Sequence, residues 1–101
     1  MSDHGNSNTN MNPHHLYQIE DLVEEDIFKY GISDEKIGED GLSKRPRVQV
    51  QFLNLAVGFI RYIGRIILFD ISGKKQARKI EKEHIDTYKK LKGRKPRGNL
   101  R

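Results

Sequence analysis

The stretch HLYQIEDLVEEDIFKYGIS, His15 to Ser33, decides how the rest of the chain is read. Its first part, HLYQIED, alternates and ends in acid, and its second part sets Ile27, Phe28, Tyr30 and Ile32 ahead of Asp34. A period of two is that of a strand with one face against a core. The intervening DLVEED is short enough for a hairpin loop, so two antiparallel strands are expected. The acid cluster between them, EDLVEED, reads as a solvated hairpin tip that keeps this end away from phosphate.

Downstream, SDEKIGEDGLSKR combines glycines and charges, which is loop chemistry. Pro46, at home in the first helical position because its missing N–H is not needed there, opens RVQVQFLNLAVGFIRY. Val48, Phe52, Leu55, Ala56, Phe59 and Ile63 recur at helical spacing and mark the expected core face. RIILFDI, between Gly64 and Gly73, reads as a third, buried strand. SGKKQARKIEKEHIDTYKKLKG then runs without a breaker to Gly93, a C-cap, with basic residues in its last turn. The order is β-β-α-β-α: an α+β fold with a small three-stranded antiparallel sheet and flanking helices.

Upstream, MSDHGNSNTNMNP is rich in Asn, Ser and Gly and offers almost nothing to bury, so residues 1–13 are expected to form a disordered leader before a single domain over 14–101. It lacks the apolar region of a secretory signal and the arginines of a transit peptide. FLNLAVGFIRYIGRIILFDI is long enough to raise the question of a membrane span, but Asn54, Arg61, Arg65 and Asp70 interrupt it, which a spanning helix does not tolerate. The 101 residues suffice for one small core, and the absence of cysteine excludes a disulfide framework and a thiolate zinc site. A net charge of +5 points to phosphate-rich partners.

On the last helix, Ala77, Ile80, Tyr88 and Leu91 share a stripe with Ile85 at its edge, and Glu81 and His84 fall inside it. A carboxylate directed at a core face needs a cation or hydrogen bonds to meet it. Glu81 therefore pairs with an arginine as a structural strut or holds a divalent metal. His84 reads as a packed histidine at the core edge. His14 and His15, adjacent on a strand, face opposite ways and make no metal pair.

HLY with Tyr17, then after eleven intervening residues KYG with Gly31, GLSKRPRVQV with Arg45, ARKIEKEHI with Glu81 and KPRGN with Asn99 follow one another over His15–Asn99. In order and spacing they resemble the motifs of the GIY-YIG nuclease superfamily, and most of all the URI-type GIY-YIG modules at the C-termini of bacterial polymorphic toxins. RYIG at Arg61–Gly64 spells part of the family name but lies between helix and strand, without a hairpin partner upstream. There are two departures: His15 stands where the family has glycine, and Lys29 stands where the second motif begins with tyrosine, with Tyr30 one position later. A shift of one residue on a strand changes the face, so Lys29 and Tyr30 are alternatives for the position beside Tyr17.

The resemblance implies a metal-dependent endonuclease acting on nucleic acid, DNA ahead of RNA, in the cytoplasm of a target cell after delivery as part of a toxin. It implies that Glu81 holds a single Mg²⁺ or Mn²⁺, that Arg45 (or Arg47, in a shifted register) grips the phosphate, and that Tyr17 positions or deprotonates water with Lys29 or Tyr30 in support. Asn99 would order the C-terminal loop. Lys44, Arg47, Lys95, Arg97 and Asn99 would follow the nucleic-acid backbone, and a cognate immunity protein is implied as partner. The competing expectation is a non-catalytic, basic nucleic-acid-binding domain in which Glu81 and Arg45 form a buried pair.

Overall fold

The computed structural model describes residues 9–99. Its elements are β1 (Pro13–Asp21), β2 (Asp26–Ser33), α1 (Lys44–Val57), β3 (Tyr62–Ser72) and α2 (Gly73–Lys92). The hairpin forms as the alternation predicts, with Leu16 opposite Ile32, Tyr17 opposite Gly31, Gln18 opposite Tyr30 and Ile19 opposite Lys29. β3 pairs antiparallel with the other side of β1, which gives the order β2-β1-β3. The fold is therefore α+β in the order β-β-α-β-α.

Successive residues of β1 serve two cores. Leu16 packs with Ile32, Ile71 and Ala77 beneath α2, with Ile67 and Ile80 against them. Tyr17 and Ile19 pack with Tyr62 and Ile66 on the opposite face, where Val50 and Leu53 of α1 and Leu42 close over them. Each such aliphatic side chain contributes ~1.5–3 kcal/mol. β1 has to be apolar on both faces because it is the central strand with a helix on each side.

Several expectations are corrected. α1 starts at Lys44, so Pro46 lies inside its first turn, where an N–H is still not required. The face expected in the core, with Val48, Phe52, Leu55 and Phe59, is exposed, and Pro46, Val50 and Leu53 face the sheet instead. Hydrogen bonds fix this rotation: Asn54 Nδ2 donates to the Tyr62 carbonyl at 2.9 Å, and Asn54 Oδ1 accepts from the N–H groups of Arg61 and Tyr62 at 2.9 and 2.7 Å. β3 begins at Tyr62 and is an edge strand with Leu68 and Phe69 exposed. Tyr62 of RYIG is a core residue, its ring edge-on to Phe28. On α2, Leu91 is exposed, while the cap at Gly93 forms as expected, its N–H donating to the Lys89 carbonyl at 2.8 Å.

The expected leader lies outside the described residues as far as residue 8, but its end is part of the fold. Asn10 is buried, its side chain donates to Asp34 at 3.0 Å, and its carbonyl accepts from the N–H of Lys74 at 2.8 Å. Among the described residues no helix is long and apolar enough to cross a membrane.

The acid cluster of the hairpin is likewise not simply solvated. Asp21 is buried, accepts from the Val23 and Glu24 N–H groups at 3.0 and 3.2 Å, and pairs with Arg61 at 2.9 Å and with Arg97. Asp26 accepts from the Tyr88 hydroxyl and from Arg94, tying the hairpin to the end of α2. Leu22 to Glu25 are the exposed part.

Hydrogen bonds from Arg61, reinforced by Arg97, hold the Asp21 carboxyl far below the usual carboxylate range. Its folded value is lower than its unfolded one of about 3.9, so the stabilisation is complete above that value and is lost as acid protonates the unfolded chain and then the native carboxylate. Asp21→Asn should cost about 3 kcal/mol at pH 7, the low end for breaking a buried pair because both arginines reach solvent. The gap to the parent protein should narrow by about 1 kcal/mol from pH 5 to pH 3, measured by denaturant unfolding.

Candidate active site

Tyr17 sits at the centre of the face covered by α1. Its ring lies across the facing Gly31: a Cβ on Gly31 would come within 2.3 Å of the Tyr17 Cζ and hydroxyl oxygen. The glycine of KYG is therefore required by the tyrosine of HLY. Gln49 Nε2 of α1 donates to the Tyr17 hydroxyl oxygen at 3.1 Å, which leaves the phenol proton free for another acceptor. Gln49 Oε1 is buried without a partner among the described residues, an unsatisfied group of the kind that gathers at functional sites. Tyr17 is only 1% exposed, and burial pushes its phenol above the ordinary value.

The hairpin register separates Lys29 from Tyr30. Lys29 faces Ile19 and shares the side of Tyr17. Tyr30 faces Gln18 on the other side, its ring edge-on to His84 of α2 at 5.4 Å. Tyr30 is thus a packing residue on the α2 face, and His84 is the packed histidine expected, with Nδ1 2.9 Å from the Ile80 carbonyl. Lys29 is half-buried; burial pushes its ammonium down, the Arg45 charge adds to this, and Glu81 opposes it.

Arg45 is exposed in the first turn of α1. Ser43, the N-cap, makes no capping hydrogen bond, because its hydroxyl is held 2.7 Å from His15 Nε2. No acid stands in that turn, and Lys44, Arg45 and Arg47 all do, at the end of the helix that prefers anions. Glu81 is half-buried on α2, and burial raises its carboxyl above the ordinary value, countered by Arg78, Lys29 and Arg45. Glu81 and Arg45 do not form an ion pair among the described residues, so the expected strut is absent. Glu81 also acts on Tyr17. The charges of Arg45 and Glu81 both act on Tyr17 and on Lys29.

The residues expected along a nucleic-acid backbone divide. Lys44 is exposed beside Arg45. Arg47 is instead held by Asp40 at 2.7 Å and by the Leu42 carbonyl at 2.7 Å, so it closes the loop before α1. Arg97 is engaged by Asp21 and lies over the Phe28 ring. Asn99 orders the tail, as expected: it accepts from the Tyr30 N–H and donates to the Tyr30 carbonyl, both at 2.9 Å. Lys95 is half-buried, and its carbonyl accepts from Arg94.

Arg45 borders a cleft of about 210 Å³ with His14, Asp34, Glu35 and Lys74, while a larger cleft, about 670 Å³, lies between the hairpin tip and the end of α2. Among the described residues no cluster of three or more His, Cys, Asp or Glu offers a closed metal cage. Two residues were missed. Gln49 was findable, since it lies one turn after Arg45 on the same helix face. Glu35, whose charge acts on Tyr17 and His15, sits in a loop with no periodicity to reveal it.

Fold and site thus define a small α+β module with a basic, uncapped helix start at α1. A family model described as URI fold toxin 2 (Tox-URI2) matches residues 7–93, and the chain belongs to that family: it is a URI-fold toxin module. No curated protein and no solved structure matches the chain.

Gly31→Ala should drive its methyl into the Tyr17 ring, which is confined on both sides and cannot swing away. A loss of about 2 kcal/mol in denaturant unfolding is expected, with Tyr17→Phe in the same background recovering little of it because the ring carbon clashes as well.

Proposed function

We propose that this toxin module is a metal-dependent endonuclease of the GIY-YIG type that hydrolyses phosphodiester bonds of nucleic acid, DNA in preference to RNA. The observation that carries the reading is the uncapped, basic start of α1, from which the Arg45 charge acts on Tyr17, Lys29 and Glu81. A helix start with free N–H groups and cationic side chains suits a phosphate.

In this reading Arg45 grips the scissile phosphate as a charged fork, with Lys44 on a neighbouring phosphate. Glu81 would hold a Mg²⁺ or Mn²⁺ ion. A half-buried carboxylate that receives no hydrogen bond among the described residues fits a hard cation that keeps most of its waters. Such an ion supplies charge neutralisation at the phosphoryl oxygens and a more acidic water.

Tyr17 is too buried and too weak an acid to serve as base. Its free proton orients a neighbouring oxygen, and Gln49 holds the ring in place. Lys29, whose burial favours the neutral amine, holds or accepts the proton of the attacking water. A toxin with this activity calls for an immunity partner that blocks it.

Purified protein should cut plasmid DNA with Mg²⁺ or Mn²⁺ and stop on chelation. Glu81→Gln and Arg45→Ala should each lose about 10²-fold or more in rate, while Tyr17→Phe loses less. Undiminished cleavage by Glu81→Gln would sink the site. Because protons compete with the metal for Glu81, the acid limb of the pH–rate profile at subsaturating Mg²⁺ should lie above the range of an ordinary glutamate and move down as Mg²⁺ is raised. Arg78→Gln, which removes the charge that most favours the carboxylate, should move that limb to still higher pH.

A further inference from the structure

Three of the residues expected along a nucleic-acid backbone are spent inside the fold: Arg47 on Asp40, Arg97 on Asp21 and Asn99 on Tyr30. Cations outside the internal ion pairs collect elsewhere. β1 begins, and β2 and β3 finish, at one end of the sheet, where His15 faces Ser33 and His14 faces Ile71. Both helices start there: Ser43, the cap of α1, is 2.7 Å from His15, and α2 follows β3 directly at Gly73. Arg45 of α1 and Lys74 of α2 border the same cleft, so the two helix starts meet at it.

From this end the first half of α2 presents a basic flank. Arg78 and Lys79 follow Lys75 at i+3 and i+4, the spacing of neighbours on a helix surface. All three are exposed and form no ion pair among the described residues. Lys82 extends the row and meets Asp86 at 2.7 Å. The acids nearby do not cancel it. Asp34 and Glu35 line the cleft, and Asp34 is held by the side chains of Asn10 and Asn12 at 3.0 and 3.3 Å. Asp70 lines a separate cleft with Gln76 and Ile80, each two residues from Arg78 and so on the other side of the helix. Glu81, the one acid between Gly73 and Lys82, is the carboxylate proposed to hold the metal, and Arg78 is the cation that acts on it most. Beyond Lys82 the character changes, because Glu83 and Asp86 share the second half of α2 with Lys89, Lys90 and Lys92.

We propose that a nucleic-acid backbone crosses this end of the sheet from Lys44 and Arg45 and continues along Lys75, Arg78 and Lys79 on the first half of α2, instead of following the C-terminal tail. That the polyanion is a nucleic acid rests on the proposed nuclease reading; the cationic surface stands on the fold. No large hydrophobic side chain is exposed on α2 before Leu91. A helix that lies on a membrane buries an apolar face, and a protein interface centres on desolvated anchors such as aromatic rings. A flank of lysine and arginine alone suits a partner held by charge. Contacts of this kind fix position without reading bases, so cutting with little sequence preference goes with such a track.

The test measures binding of the full chain to a short fluorescent DNA duplex by anisotropy, in EDTA so that no cutting intervenes, over a series of salt concentrations. Lys75→Gln, Arg78→Gln and Lys79→Gln combined should lower the salt slope by about 2 to 3 and weaken binding about tenfold or more. Lys89→Gln, Lys90→Gln and Lys92→Gln combined remove the same charge from exposed positions of the same helix and should change the slope by less than about 1. Glutamine is a good helix former, so both variants should keep the parent's unfolding midpoint. Equal losses from the two variants would mean that only net charge is sensed, which overturns the track and leaves the nuclease reading in place. Unchanged DNA binding by the first variant, with binding to phosphatidylserine vesicles lost, would overturn it in the same way. A parent chain that binds neither the DNA duplex nor its RNA counterpart would overturn the track and the nuclease reading together.

Discussion

A carboxylate buried where the hairpin meets the end of the chain has to be answered by cations, and the answer to Asp21 organises this protein. Its oxygens accept from the turn that follows β1, from Arg61 at the entrance to β3 and from Arg97 in the tail. Once Arg97 is anchored, Gly98 donates to the Phe28 carbonyl at 2.7 Å and Asn99 bonds both backbone groups of Tyr30. The tail thereby covers the outer edge of β2, the strand that carries Lys29. Such an arrangement leaves β3, and not β2, as the open edge of the sheet.

The same economy of charge explains why the basic residues fall into two kinds. Arg47, Arg61, Arg65, Arg94 and Arg97 each meet a carboxylate within the fold. Arg45, in the first turn of α1, forms no such pair among the described residues, and its charge acts on Tyr17, Lys29 and Glu81. Burial shifts the phenol and the carboxyl upward and the ammonium downward, so each of these groups is moved towards its neutral form. Groups tuned against their charges, next to cations and an unsatisfied amide oxygen, are the physical content behind the proposed phosphodiester chemistry.

Much of the architecture was legible in short-range pattern. The alternation of β1 and β2, the breaker-free run of α2 and its glycine cap all became the elements they suggest, because each is decided by local periodicity and backbone chemistry. The face of α1 was not legible. Val48, Phe52 and Leu55 make one apolar row and Pro46, Val50 and Leu53 another, so periodicity offers two solutions of similar quality. Long-range hydrogen bonds from Asn54 to β3 and from Gln49 to Tyr17 choose between them. The acid cluster was misread for a related reason: adjacency to a turn suggests solvent, whereas the partners of Asp21 and Asp26 come from Arg61, Arg94 and Arg97, far along the chain.

By itself the sequence determined the number, type and order of the elements and the residue types on which a phosphate-directed site would draw. Which of Lys29 and Tyr30 stands beside Tyr17, which arginines remain outside the internal ion pairs and which row of α1 meets solvent were decided only by tertiary structure. The reason is physical in each case. A strand register, an ion pair between distant segments and the rotation of a helix on a sheet are settled by contacts between parts of the chain that no local pattern can compare.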